Sequence, residues 1–155
     1  MSKIKTGLKV PDFSLSMTGG GSWSLKDAAG KKLVIYFYPR DMTSGCTRES
    51  QDFRDLEKAF RKAGTQIVGV SRDPVASHDK FAARESLPFP LLADVDEKLC
   101  KLFDVIQEKS LYGRKYLGVE RSTFLLDGSG RLRQQWRKVK VPGHAEAVLE
   151  AAQRL

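Results

Sequence analysis

The residues that could do chemistry lie close together. The stretch "YPRDMTSGCT" (38–47) holds Pro39, Thr43 and Cys46 in the pattern P-x3-T-x2-C. A cysteine can be a small buried hydrophobe, half of a disulfide, a metal ligand or a nucleophile. The chain has two cysteines, Cys46 and Cys100, and two histidines, His78 and His144. No two of them have ligand spacing, so neither a metal nor another cofactor is expected. A thioredoxin-type redox pair needs CxxC, and Thr43 stands at the first of those positions. What remains to decide is whether the surroundings of Cys46 favour its thiolate, the form that attacks.

The elements around it answer that. "KKLVIYFY" (31–38) is a continuous apolar run, predicted as a strand covered on both faces. From Ser44 to Ala63, Cys46, Phe53, Leu56, Phe60 and Ala63 recur at helical spacing, and Gly64 ends the run. Cys46 therefore falls in the first turn of a helix that follows a buried strand. The N–H groups there lack partners and the helix dipole is positive, which favours an anion. Thr43 or Ser44 can cap this helix, and the Thr43 hydroxyl can also donate to the sulfur or to a substrate oxygen. Pro39 ends the strand, removes a backbone donor and can wall the thiolate against water. Glu49 is an early-helix acid that the dipole favours in any case.

Beyond the site, residues 8–17 read as extended and "TGGGS" (18–22) as a turn. Strands are predicted at 66–71 and 89–94, with helices from Pro74 to Glu85, over 96–103 and over 142–155. "RSTFLLDGSGRLRQQWRKV" (121–139) reads as a hairpin around "DGSG". The segment 110–120 has no period and is predicted as a surface loop. These elements make one α/β domain over 1–155, a central mixed sheet with helices on both faces and an N-terminal extended or hairpin extension. A length of 155 residues suits one core, and 41% hydrophobic with 30% charged residues is an ordinary globular balance.

No apolar window approaches the ~18 residues of a membrane helix, and "MSKIKTGLKVPDF" has no apolar core of a secretory signal. A cytoplasmic protein without a membrane partner is the expectation. Net charge is +8, with one dense basic run at 131–140. That balance raises a competing class, a basic nucleic-acid-binding or redox-regulated chaperone module. The chain shows no nucleic-acid motif, so no nucleic-acid partner is expected.

The pattern Pro39, Thr43, Cys46 at a strand-to-helix junction resembles the active-site signature of the peroxiredoxins. "ERSTFLLD" sets Arg121 where that family has its active-site arginine. "IYFYPRDMTSGCT", "GVSRD", "SHDKF", "LCKLFDVI", "YGRKYLGVERSTFLLD" and "WRKVKVPGHAE" resemble its bacterioferritin-comigratory group, BCP/PrxQ, over nearly the whole chain. The resemblance implies a thioredoxin-like fold and an antioxidant, thiol-dependent reduction of hydrogen peroxide and organic hydroperoxides. Cys46 would be the peroxidatic cysteine and become a sulfenic acid. Thr43 and Arg121 would orient sulfur and peroxide, Pro39 would shield the pocket, and Glu49 matches a position that usually carries an acid or amide. Phe37, Tyr38 and Phe81 are placed to line an apolar pocket. Trp136 reads as packing, and His78 as a polar residue early in a helix.

A sulfenic acid must meet a thiol or it oxidises further. Members of this group commonly carry a second cysteine five residues after the first or on the following helix. Those positions here are Gln51 and Ala82. Cys100, among Leu99, Leu102 and Phe103, reads as a buried apolar residue, not a resolving one. A one-cysteine mechanism with an external thiol, thioredoxin or glutaredoxin with glutathione, is therefore expected. The alternative is a two-cysteine enzyme whose natural resolving cysteine has been replaced at Ala82. The resemblance favours a monomer, or a weak dimer packed near the active-site loops.

Overall fold

The computed structural model describes residues 4–155; residues 1–3, which open the segment read as lacking a signal, lie outside them. In chain order the elements are β1 (Ser14–Met17), β2 (Ser22–Ser24), β3 (Lys32–Phe37), α1 (Ser44–Lys62), β4 (Thr65–Ser71), α2 (Val75–Glu85) and β5 (Leu91–Ala93). They continue with α3 (Lys98–Leu102), β6 (Ile106–Leu111), β7 (Arg114–Val119), β8 (Ser122–Leu126), β9 (Leu132–Trp136) and α4 (His144–Arg154). Seven strands form one mixed sheet in the order β2-β1-β5-β4-β3-β8-β9. At its centre β3 pairs parallel with β4 and antiparallel with β8.

The apolar run of β3 is buried on both faces, as its composition requires. Leu33, Ile35 and Phe37 point into a cluster with Val70, Phe103 and Phe124. Val34, Tyr36 and the following Tyr38 point into a second cluster with Phe53, Phe60 and Phe81. The period-two alternation of a strand thus sorts one run into two cores. Residues of α1, α2 and α4 share the second cluster, and α3 with the N-terminal segment supplies the first. Each fully buried large side chain contributes roughly 1.5–3 kcal/mol of transfer free energy, so β3 firmly anchors the loop and helix that come after it. On β4, a Cβ at Gly69 would stand 2.8 Å from the Tyr36 ring, so only glycine lets that ring lie across the strand.

Two expectations change. The segment 110–120 is not a loop: β6 and β7 form a separate two-stranded sheet. They turn through Tyr112 and Gly113, both at positive φ, the two-residue turn that matches strand twist. This ribbon stands largely in solvent, with Leu111, Tyr112, Tyr116 and Leu117 exposed, so it carries no one-sided apolar alternation to read. Pro74 is the residue before α2, not its first turn. Among the described residues, no helix is long and apolar enough to cross a membrane.

Candidate active site

The chain leaves β3 through Pro39–Thr43 and enters α1 at Ser44, which places Cys46 in the helix's first turn. Cys46 is buried, at 1% exposure, on the face of the sheet shared with Phe53 and Phe81. Arg121 directly precedes β8, the neighbour of β3, so the sheet carries its side chain to the same end. Its Nη2 stands 3.3 Å from Cys46 Sγ and its Nη1 donates to Glu49 Oε1 at 2.6 Å. One planar guanidinium thus spans a thiol and a carboxylate, geometry a lysine cannot reproduce. Gly45 makes room for it: a Cβ there would lie 3.2 Å from Arg121 Nη2.

The electrostatics are unusual. Glu49 is 1% exposed, and its second oxygen, Oε2, is buried without a hydrogen-bond partner. Burial pushes its carboxyl up to about 7, although Arg121 works in the opposite direction. Burial also works against the charge of Arg121, but Glu49 and Cys46 outweigh it and the guanidinium is held more basic than usual. On β6, burial and then Arg121 push the Lys109 amine down, while Cys46 raises it. Cys46 therefore sits in a field of fixed positive charge. A field of this kind stabilises negative charge moving from sulfur onto a leaving oxygen.

The other expected residues divide. Thr43 is the N-cap residue of α1, but its hydroxyl caps nothing: it donates to Arg40 O at 2.9 Å instead of to the sulfur. Pro39 is half-buried at the bend after β3. Tyr38 and Phe81 share the cluster of Cys46, whereas Phe37 does not; it points to the opposite face, against Phe103 and Phe124. Strand alternation forbids both residues 37 and 38 from lining one pocket. Trp136 packs edge-on to His144. Cys100 lies in the core cluster across the sheet from Cys46, and burial followed by Asp94 pushes its thiol far up, which disfavours its thiolate. Both cysteines are free.

Sequence reasoning missed Asp41 and His78. His78 lies early in α2, as expected, but is fully buried, with Nδ1 2.7 Å from Asp41 Oδ2 and Nε2 3.0 Å from Leu92 O. Asp41 also accepts from Tyr38 Oη at 2.6 Å and Ser77 Oγ at 2.8 Å. Burial raises the Asp41 carboxyl, yet these donors and the charge of His78 outweigh it and hold the group below the usual carboxylate range. Asp41, Asp73 and His78 bring ligand-type atoms within 4.8 Å of one another. The hydrogen bonds already account for the contacts, since Asp73 Oδ2 accepts from Ser71 Oγ and from Asp41 N. The only hint in the sequence was the "SHDKF" motif itself.

Comparison with known proteins identifies the family. Residues 6–135 match the AhpC/TSA family. Peroxiredoxin Bcp of Xanthomonas campestris pv. campestris is 57% identical over 140 residues, 90% of this chain and 88% of that one. Peroxiredoxin Bcp of Bacillus subtilis is 48% identical over 147 residues, covering 95% and 94%. A solved structure of the Xanthomonas campestris bacterioferritin comigratory protein, studied for alkyl peroxide reduction, superposes with a TM-score of 0.90. It is 52% identical and covers 97% of this chain and 98% of that one. Two further structures of the Xanthomonas protein carry cysteine-to-serine changes, at positions separated by as many residues as Cys46 and Ala82 are here. The fold is thioredoxin-like, and the chain belongs to the AhpC/TSA family, in its Bcp/PrxQ group of peroxiredoxins, which are thiol-dependent peroxidases.

Proposed function

We propose that Cys46 is the peroxidatic cysteine and that Thr43, Arg121 and Pro39 complete its site, with Glu49 in support. The observation that carries this reading is the 3.3 Å approach of Arg121 Nη2 to Cys46 Sγ. The Cys46 thiolate attacks the terminal oxygen of a hydroperoxide. An S–O bond forms, the O–O bond breaks, and the leaving oxygen departs with the peroxide's proton as water or alcohol; the negative charge stays on the sulfenate, which takes a proton from solvent to become the sulfenic acid. Arg121 donors, always charged, stabilise the departing oxygen more than the starting peroxide. Because the Thr43 hydroxyl proton is committed to Arg40 O, Thr43 Oγ1 serves as the acceptor for the peroxide O–H. Hydrogen peroxide and alkyl hydroperoxides are the substrates, the latter by analogy with the Xanthomonas protein.

We further propose that the sulfenic acid is resolved from outside the chain. Gln51 and Ala82 offer no thiol, and Cys100 lies across the sheet. Thioredoxin, or glutaredoxin with glutathione, supplies the attacking thiol. The chain acts as a monomer or weak dimer in the cytoplasm, a compartment that suits two free cysteines. The cysteine spacing in the Xanthomonas protein favours one second reading, that Ala82 stands where a resolving cysteine would otherwise be. Mass spectrometry after one equivalent of peroxide tests both halves. The expected product is one oxygen on Cys46, and Cys46→Ser consumes no peroxide. Full activity in Cys46→Ser, or a Cys46–Cys100 bond, overturns the reading.

A further inference from the structure

We propose that Asp41 and His78 are positioning residues of this peroxidase: their buried pair latches the loop 39–43 onto α2, and so holds Thr43 and Cys46 in the peroxide-reactive arrangement. The inference rests on the assignment of Cys46 as the peroxidatic cysteine.

Five residues join β3 to α1 beyond Tyr38, and only one of them, Asp41, is fully buried. Arg40, Met42 and Thr43 are exposed and Pro39 is half-buried. Met42 has φ +63, a left-handed conformation that a methionine adopts only when its surroundings impose it. The loop is therefore held at a single internal point. Three side chains hold the Asp41 carboxylate: Tyr38 after β3, and Ser77 and His78 on α2. The second nitrogen of His78 faces the Leu92 carbonyl of β5. Both ring nitrogens of His78 thus face groups that accept hydrogen bonds, the Asp41 carboxylate and the Leu92 carbonyl. A buried hydrogen-bonded pair of this kind is costly to break from one side, because the remaining polar group is left buried without its partner.

The grip on Asp41 reaches the site through one peptide unit. The N–H of the Arg40–Asp41 peptide donates to Asp73 Oδ2 at 2.9 Å. The C=O of the same peptide accepts the Thr43 hydroxyl at 2.9 Å. Thr43 O in turn accepts the first helical hydrogen bond of α1, from Thr47 N at 2.8 Å. Fixing Asp41 thus fixes a peptide plane, then the Thr43 hydroxyl, then the turn that carries Cys46.

The latch acts on the two half-reactions in opposite directions. The peroxide step needs the closed arrangement. The reductive step needs an external thiol to reach a sulfur whose residue is 1% exposed, and therefore needs the loop to open. His78 stands four residues before Ala82 on α2. With no thiol to deliver at that position, the helix can serve as the fixed post against which the loop closes.

The test uses the full chain on a Cys100→Ser background and compares Asp41→Asn, His78→Asn and Ser77→Ala. Two rates are measured: the second-order reaction of the reduced enzyme with hydrogen peroxide, and alkylation of reduced Cys46 by iodoacetamide. In Asp41→Asn and His78→Asn the peroxide rate falls about a hundredfold and alkylation rises roughly tenfold. Ser77→Ala, which keeps the Asp41–His78 contact, shifts both rates in the same directions by less. Peroxide rates like the parent's in both Asp41→Asn and His78→Asn overturn the proposal, as does a fall in both rates together. It is also overturned if amide exchange accelerates across β3 and β4 as much as across residues 39–48. If Asp41→Asn and His78→Asn do not fold, Ser77→Ala and Tyr38→Phe carry the test, and parent-like rates in both overturn it. Full activity in Cys46→Ser would instead sink the underlying assignment.

Discussion

Arg121 and Cys46 lie 75 positions apart in the chain, yet a guanidinium nitrogen of one stands 3.3 Å from the sulfur of the other. The same guanidinium also holds Glu49. In Arg121→Lys a charge remains, but an ammonium cannot span both partners as a planar fork. The second-order rate with hydrogen peroxide is expected to fall by roughly 10²–10³, the loss typical of removing one preorganised donor. Stopped-flow measurement checks this, and a rate near the parent's removes Arg121 from the reacting centre.

Gly45 separates helix stability from chemistry. Alanine is the better helix former by roughly 1 kcal/mol, but its methyl would press within 3.2 Å of Arg121 Nη2. Gly45→Ala is expected to melt no lower than the parent while reacting with peroxide at least tenfold more slowly, since about 1 Å of misplacement is enough for far larger losses. A thermal scan beside the peroxide rate reads both. Unchanged kinetics would show that Arg121 adjusts freely.

Two buried groups oppose each other in pH. The Glu49 carboxyl is pushed up to about 7, chiefly by burial. Between about 4.5 and 7 the folded chain holds a proton there that the unfolded chain releases, so this group lowers stability as pH rises through that window. His144 Nε2 lies 2.8 Å from Thr123 Oγ1, and burial, then Arg121, push its imidazole down to about 4. Between about 4 and 6.5 the unfolded chain holds the extra proton, so this group raises stability as pH rises. Each effect is worth up to roughly 3 kcal/mol at about 1.4 kcal/mol per pH unit, and over much of the range they cancel. Denaturant unfolding from pH 4.5 to 7 is expected to show stability climbing more steeply with pH in Glu49→Gln than in the parent. His144→Gln should show the reverse. Parallel curves for all three proteins would refute both assignments.

Ala82 packs against the core cluster that contains Cys46, on the helix that faces α1. Ala82→Cys is expected to divert the oxidised enzyme from a sulfenic acid to an internal disulfide. Intact mass after one equivalent of peroxide would then show loss of two hydrogens instead of gain of one oxygen. Cys100→Ala is expected to leave the parent's product unchanged, at a stability loss of about 1 kcal/mol for the small cavity.

Some of this molecule was readable along the chain. The run 31–38, the helical spacing from Cys46 to Phe60 and the stop at Gly64 each rest on local periodicity or a local backbone preference. They define a strand, a helix and Cys46 at the junction, and β3, α1 and a positive φ at Gly64 agree. The ribbon of β6 and β7 was not readable, because its strands pair only with each other and bury little. Phe37 was placed in the wrong core because its face depends on pairing register, which neighbouring residues do not reveal.

By itself, then, the sequence determined Cys46 as the candidate nucleophile, its helix start and the absence of a thiol at Gln51 and Ala82, because those are matters of residue type and short spacing. Tertiary structure alone decided the rest. Strand order carried Arg121 to Cys46, and the packing of α3 put Cys100 on the far face of the sheet. Parallel pairing of β3 and β4 brought the start of α2 to the loop before α1, which made a buried hydrogen-bonded pair of Asp41 and His78. Partners that are 37 or 75 residues apart meet only through sheet pairing and helix packing, and no local pattern along the chain encodes which of them will touch.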